Sequence, residues 1–313
     1  MGQGVRPLCP SDCEVEGRYI VNMLEYIRNE LLKLSDKGNY AAFTSALIPG
    51  CDNVIGVRQP VLKKYARQLV KDNEDFRTLL TEPDIYHEET LLRGYVIGYG
   101  TAKEKNFDRA LQDLKDYVPL VNNWAVNDGF CIEFRVIDSF RDEFLPYIRE
   151  CVLSGDEYRA RVGLIMLLDH YLKVDMDGSK KSRMRKVTVD DIIVKDENFT
   201  GEVSGAGNGK NINSRLDSSY KSDKNYKKIT DGKYLDDILS LVNRDFSSNG
   251  YYTQMAAGWL LAEAFMTFPR RIWEYLTDKD NLKLDAVSYK KTINKICESL
   301  TPDKEVKELV RKI

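Results

Sequence analysis

Histidine is almost missing from this chain: His87 and His170 are the only two in 313 residues. Imidazole catalysis and His-rich metal sites therefore have little to draw on. Cysteine is sparse as well, at positions 9, 13, 51, 131, 151 and 297, with no C-x-x-C pair. Cys9-x3-Cys13 lacks the second ligand pair that a zinc site needs. Reduced thiols in an intracellular, cytoplasmic protein are the expectation. No apolar run reaches the roughly 18 residues of a membrane span, so none is expected. The opening "MGQGVRPLCPSDCEVEG" has no apolar centre and does not read as a secretory signal. Arg6 stands where a myristoylation motif has Ser or Thr. Net charge is only −2, so any nucleic-acid footprint has to be local. No metal and no cofactor are expected, and the chain is expected to be a monomer.

What the sequence does have is helical periodicity. In "YIVNMLEYIRNELLKL" (19–34), Ile20, Met23, Leu24, Ile27, Leu31 and Leu34 fall on one stripe. "QPVLKKYARQLV" (59–70) opens with Pro60 in its first turn, as helices favour. "ETLLRGYVIGYG", "FDRALQDLKDYV", "FLPYIRECVL", "YRARVGLIMLLDHYL", "YLDDILSLV", "QMAAGWLLAEAF" and "AVSYKKTINKICESL" continue the pattern. Connectors are short, which predicts antiparallel helix pairs. A weak repeat supports this. Residues 144–172 and 234–265 each show a short helix, a Ser, a Tyr four residues on (Ser154…Tyr158, Ser248…Tyr252), then a longer apolar helix. The expected fold is all-α, an α-α superhelix or HEAT-like solenoid of antiparallel helix pairs. It is read as one domain over 14–313, carrying a mostly disordered polar and basic insertion at 174–232. Within the insertion "VTVDDIIV" (187–194) is the one candidate strand, and "KKSRMRK" is either a solvated loop or an auxiliary nucleic-acid contact.

One stretch resists a purely structural reading. "YVPLVNNWAVNDGFCIEF" (117–134) has the apolar content of a core helix starting near Asn122, yet it holds Asp128 four residues after Trp124. On a helix those two side chains are neighbours. Taken alone, Asp128 is a solvated or capping aspartate, Trp124 and Trp259 are core residues, and Arg161 pairs with Glu157 across one turn.

Four stretches change that weighting: "LIPGCDNVIGVRQPVLKKYARQL", "LVNNWAVNDGFC", "DEYRARVGLIMLLDHYL" and "GYYTQMAAGWLLAEAFMTFPRRIWEYL". In order and spacing they resemble the DNA alkylation repair family of HEAT-like glycosylases, the AlkD-like proteins, over about residues 20–173 and 233–300. The resemblance implies a solenoid that holds double-stranded DNA carrying alkylated bases. It implies excision of cationic N3- or N7-alkylated purines by hydrolysis of the N-glycosidic bond, without flipping the base into a pocket. In the family's Trp-x3-Asp motif the aspartate is the catalytic carboxylate, which here is Asp128 beside Trp124. Trp259 matches the second tryptophan and Arg161 an arginine that would contact the lesion or its phosphate. The helix of Trp259 departs from some members by having Gln254, Met255 and Ala262 at positions where they are basic.

The residue types suit that chemistry. An alkylated purine is a cationic leaving group, and losing it builds oxocarbenium character on the sugar. A fixed carboxylate stabilises that charge and orients water, and indole faces attract a cationic base by about 0.5–2 kcal/mol each. A basic footprint is present in "RQPVLKKYARQLVK", with Arg58, Lys63, Lys64, Arg67 and Lys71 and no acid among them. Lys63, Arg67 and Lys71 recur every four residues, which makes either a solvated face or a phosphate-tracking one. The second function class is a non-catalytic HEAT-like module that binds damaged or branched DNA or a protein partner.

Overall fold

The computed structural model describes residues 16–313 except 81–82, 177, 179–182, 185 and 194–231. Among the described residues regular structure is helical, with a single parallel bridge between Val187 and Pro302. No helix among them is long and apolar enough to cross a membrane. The chain divides after Asp113 into two compact units.

In the first unit α1 (Glu16–Leu34) and α2 (Tyr40–Leu47) precede α3 (Gln59–Asp72), α4 (His87–Glu104) and the start of α5 (Phe107–Tyr117). Ile27, Leu31, Leu62, Ala66, Leu92 and Tyr95 are buried between these helices. The loop leading into α3 is fixed by one acid. The buried Glu88 carboxylate accepts from the backbone N–H groups of Ile55 (2.9 Å), Gly56 (2.6 Å) and Val57 (3.1 Å). Pro60 then begins α3.

The second unit holds α6 (Trp124–Glu133), α7 (Arg141–Val152), α8 (Glu157–Met166), the short α9 (Val189–Ile192), α10 (Leu235–Val242), α11 (Tyr251–Thr267), α12 (Pro269–Thr277), α13 (Ala286–Glu298) and α14 (Lys304–Val310). Its cross-helix hydrogen bonds set the register. Asn127 on α6 donates to Tyr158 O on α8 (3.0 Å). Thr253 on α11 donates to Glu157 O on α8 (2.7 Å), and Gln254 donates to Asp285, the N-cap of α13 (2.8 Å). In each case the start of one helix meets the start of the next. Thus α6, α8, α11 and α13 lie side by side and run the same way, while α7 and α12 return between them. That is the helical-hairpin stack of an all-α, HEAT-like fold. The repeat seen in the sequence has a physical counterpart, because Tyr158 and Tyr252 stack on each other with ring centroids 5.9 Å apart.

Two glycines permit this spacing. Gly250, the N-cap of α11, has φ +106°, and a Cβ there would meet the Glu157 carboxylate that accepts from Tyr252 N–H. Gly258 faces α13, and a Cβ on it would stand 2.7 Å from Lys291 Cβ. The two helices are closer than any larger residue allows.

Of the expected insertion at 174–232, residues 177, 179–182, 185 and 194–231 lie outside the described residues. Parts of the rest pack. Val187 and Ile192 are buried, Met184 N–H donates to Met266 O (3.1 Å), and α9 lies on α12. The short strand that 187–194 could form is not present over 187–193, and residue 194 lies outside the described residues. Val187 pairs with Pro302, but Thr188 and Asp191 then make a reciprocal cap that turns the chain into α9 after one extended residue.

Gly258→Ala forces α11 and α13 apart. It should cost about 1–3 kcal/mol, the range for overpacking, and lower Tm by several degrees. A Tm within a degree of the parent would show that α13 yields freely.

Candidate functional site

The site is built on α6. Asn123 caps it, its side-chain oxygen accepting from the N–H groups of Ala125 and Val126 (3.0 Å each). The cap is therefore Asn123, not Asp128, and the helix begins at Trp124. Ala125, Val126, Asn127, Phe130 and Cys131 turn inward and are buried. Trp124 and Asp128, one turn apart, are left on the open side and only half-buried.

Arg161 on α8 meets Asp128 as a two-pronged fork. Its Nε donates to Oδ1 (2.9 Å) and its Nη2 to Oδ2 (2.7 Å). Its Nη1 donates to Tyr252 O on α11 (2.6 Å). Arg161 does not pair with Glu157, whose carboxylate is taken by Tyr252 N–H (2.7 Å). The guanidinium side chain is 6% exposed and the Asp128 side chain 22%, so the carboxylate is the partner that reaches the open side. A phosphate has little of Arg161 left to hold. Burial pushes the Asp128 carboxyl above its usual range, and the adjoining guanidinium opposes that rise.

These groups open onto a hollow of about 370 Å³ lined by Trp124, Asp128, Arg161, Tyr251, Tyr252, Met255, Trp259 and Lys295. The four residues singled out in the sequence are thus brought together. Among the three tryptophans, Trp273 is in the core, whereas Trp124 and Trp259 are half-buried walls of the hollow. Tyr251, Tyr252 and Lys295 were not singled out. Lys295 is 36 positions from Trp259, on a helix whose neighbour is set by tertiary packing. It supplies beside Trp259 the positive charge that Gln254, Met255 and Ala262 do not. Gln254 is instead buried as a clamp between α11 and α13. Asp169 lies in a π-helical turn, Leu167–Tyr171, outside the residues lining the hollow; burial pushes its carboxyl up to about 6, with His170 opposing and the Asp128 charge adding. Among the described residues no cluster of His, Cys, Asp and Glu could hold a metal. His170 is structural, bonded to Cys131 O (2.8 Å) and Asp138 (3.1 Å).

The basic candidates belong to the first unit. Leu62, Ala66, Leu69 and Val70 of α3 face the core, which turns Lys64, Arg67 and Lys71 outward and leaves Lys63 half-buried. Lys63 lies 5.2 Å from the centre of the Tyr95 ring and Arg67 4.6 Å from that of Tyr99, so α4 supports both. Arg58 is paired with Asp36 (2.8 Å) and lies over Tyr40.

Helices α6, α8 and α11 of the all-α hairpin stack thus present a carboxylate, an arginine fork and two indoles to one open hollow. The family model for "DNA alkylation repair enzyme" matches residues 27–188, and the chain belongs to that family. The matched span includes Trp124, Asp128 and Arg161 and ends before Trp259. No curated protein and no solved structure gave a match.

Arg161→Met would leave the half-buried Asp128 without its cation. The expected loss is about 3 kcal/mol in urea unfolding near neutral pH, and Asp128→Asn in the same chain should return part of it. Equal losses in the single and double variants would show that the pair is not coupled. Replacing Lys63, Arg67 and Lys71 by Gln should weaken binding to any duplex alike and reduce the slope of log K against log salt by up to about 3. An unchanged slope would assign the face to solvent.

Proposed function

We propose that this protein is a DNA glycosylase that excises cationic N3- or N7-alkylated purines from duplex DNA by hydrolysing the N-glycosidic bond. Membership of an alkylation repair family supports alkylated DNA as the substrate. The observation that carries the finer reading is the Asp128 carboxylate, held rigidly by Arg161 beside two indoles at an open hollow.

The chemistry follows from charge. The alkylated base leaves as a neutral purine, and positive charge moves to C1′ and the ring oxygen of the sugar. Each Asp128 oxygen has one lone pair engaged by Arg161 and another free. Asp128 lines the hollow, where its remaining acceptor sites stabilise the cationic sugar and accept a proton from the attacking water. Arg161 acts as a positioning residue. It sets the carboxylate's orientation and keeps it ionised against the effect of burial. Trp124 and Trp259 give flat, apolar walls on which the cationic nucleotide rests. A hollow this open does not require the base to be enclosed.

The same fork favours a second reading. A carboxylate matched by its own arginine is also what a purely structural ion pair looks like, and a non-catalytic DNA-binding module would retain it. Base release separates the two.

Asp128→Asn keeps size and hydrogen-bonding reach while removing the charge. In single-turnover assays on a duplex carrying 7-methylguanine or 3-methyladenine, release should slow by roughly 10²–10³, about 2.7–4 kcal/mol, with binding retained. The anion is the active form, so the parent's rate should fall as pH drops through the Asp128 pKa. Burial places that limb above the ordinary carboxylate value of about 3.9. Release that is equally fast in Asp128→Asn would remove Asp128 from the mechanism. No release by the parent would favour the binding module.

A further inference from the structure

The hollow at Asp128 is not the end of the open surface. A second one, of about 410 Å³, adjoins it, and Trp259 and Lys295 line both. Its other walls include Glu263 from α11, Ser299 just past α13, and Arg183 from the insertion. Arg183 donates from Nη2 to Ser299 Oγ (2.6 Å), and its Nη1 lies 3.7 Å from Glu263. Lys173 approaches the same carboxylate at 3.7 Å. The Glu263 charge is therefore countered twice. Lys295 is different. It is half-exposed, and among the described residues its ammonium has no ion pair or hydrogen bond. Gln254, Asp285 and the close approach at Gly258 hold its helix in place. An uncommitted cation on a fixed helix thus stands where two hollows share an indole wall.

We propose that Lys295 anchors the phosphodiester next to the lesion nucleotide, and that the adjoining backbone of the same strand passes along the edge the two hollows share at Trp259. The inference rests on the glycosylase reading for the occupant of the first hollow. A nucleotide lying at Asp128 between the two tryptophans has to pass its backbone over the edge of one of them. Trp259 is the edge with a free ammonium beside it, and an ammonium presents three donors to a phosphate from any approach. Glu298, also on the wall, is exposed and carries a like charge to the backbone. It disfavours a phosphate deep in the second hollow and confines the contact to the shared edge. Arg183, one of the described residues of the insertion, lines the second hollow and offsets Glu263.

The test uses the full chain carrying Asp128→Asn, so that the lesion stays in place during binding. Lys295→Gln is added in a second protein and Lys295→Arg in a third. Duplexes with a central 7-methylguanine carry one neutral methylphosphonate at a time, in place of each phosphodiester flanking the lesion. Lys295→Gln should reduce the salt slope by about one unit, and Lys295→Arg should restore it. At one position the methylphosphonate should weaken binding as much as Lys295→Gln does, with no further loss when both are present. Losses that add at every position, or an unchanged slope, would overturn the anchor. Base release by the parent chain is scored separately. A chain that shows the phosphate register but releases no base retains the anchor and loses the glycosylase reading. One that releases base while Lys295 and every phosphate act additively does the reverse.

Discussion

One guanidinium ties the inner layer together. Arg161 stands on α8, donates twice to Asp128 on α6 and once to Tyr252 O on α11, and is almost fully buried in doing so. Three helices that need only pack apolar faces are thereby locked in rotation and in register. Hydrophobic contact alone tolerates a slip of a side chain. A fork of directed bonds does not, because a misplaced partner leaves a buried charge unpaired at a cost of several kcal/mol. The same interaction sets the carboxylate's direction. Fold specificity and site geometry depend on the same three hydrogen bonds.

Around that fork the backbone arrangement is economical. Asn127, one position before Asp128, reaches back to Tyr158 O, and Glu157 receives Tyr252 N–H. Gly250 leaves room for that acid, and Tyr252 stacks on Tyr158. Each contact joins the first turn of one inner helix to the first turn of the next. With the helix starts held in register, residues further along the same helices, Asp128, Arg161, Trp259 and Lys295, line one hollow.

This explains what could be read from the sequence and what could not. Helical periodicity and the paired Ser–Tyr repeats are local patterns, so the all-α hairpin stack was accessible. Trp124 and Asp128 share a helix face by spacing alone. Arg161's partner was not accessible, because a pairing 33 positions away depends on inter-helix register, and Glu157 at one turn's distance was the nearer candidate. Lys295 escaped for the same reason, since nothing on its own helix distinguishes it from a solvated lysine. At 187–194 the β-branched run suggested a strand, but the reciprocal cap of Thr188 and Asp191 is a local signal that overrides it.

The fork also settles an electrostatic conflict inherent in the proposed chemistry. A bare carboxylate would hold a cationic base well but would repel the phosphates that carry the base to it. A fully neutralised one would admit the backbone but give little to a developing sugar cation. Pairing Asp128 with Arg161 makes the net charge near zero at a distance, which removes the long-range repulsion. At contact distance the oxygens that face the hollow remain the nearest charges. A duplex seated over the hollow would displace all but the attacking water, and the lower local dielectric would strengthen whatever is closest. The site can thus be nearly neutral to an approaching strand and negative to a sugar resting on it. A chain whose overall charge is only −2 can then work on a polyanion without a basic surface throughout, provided that cations such as Lys295 stand where the backbone passes.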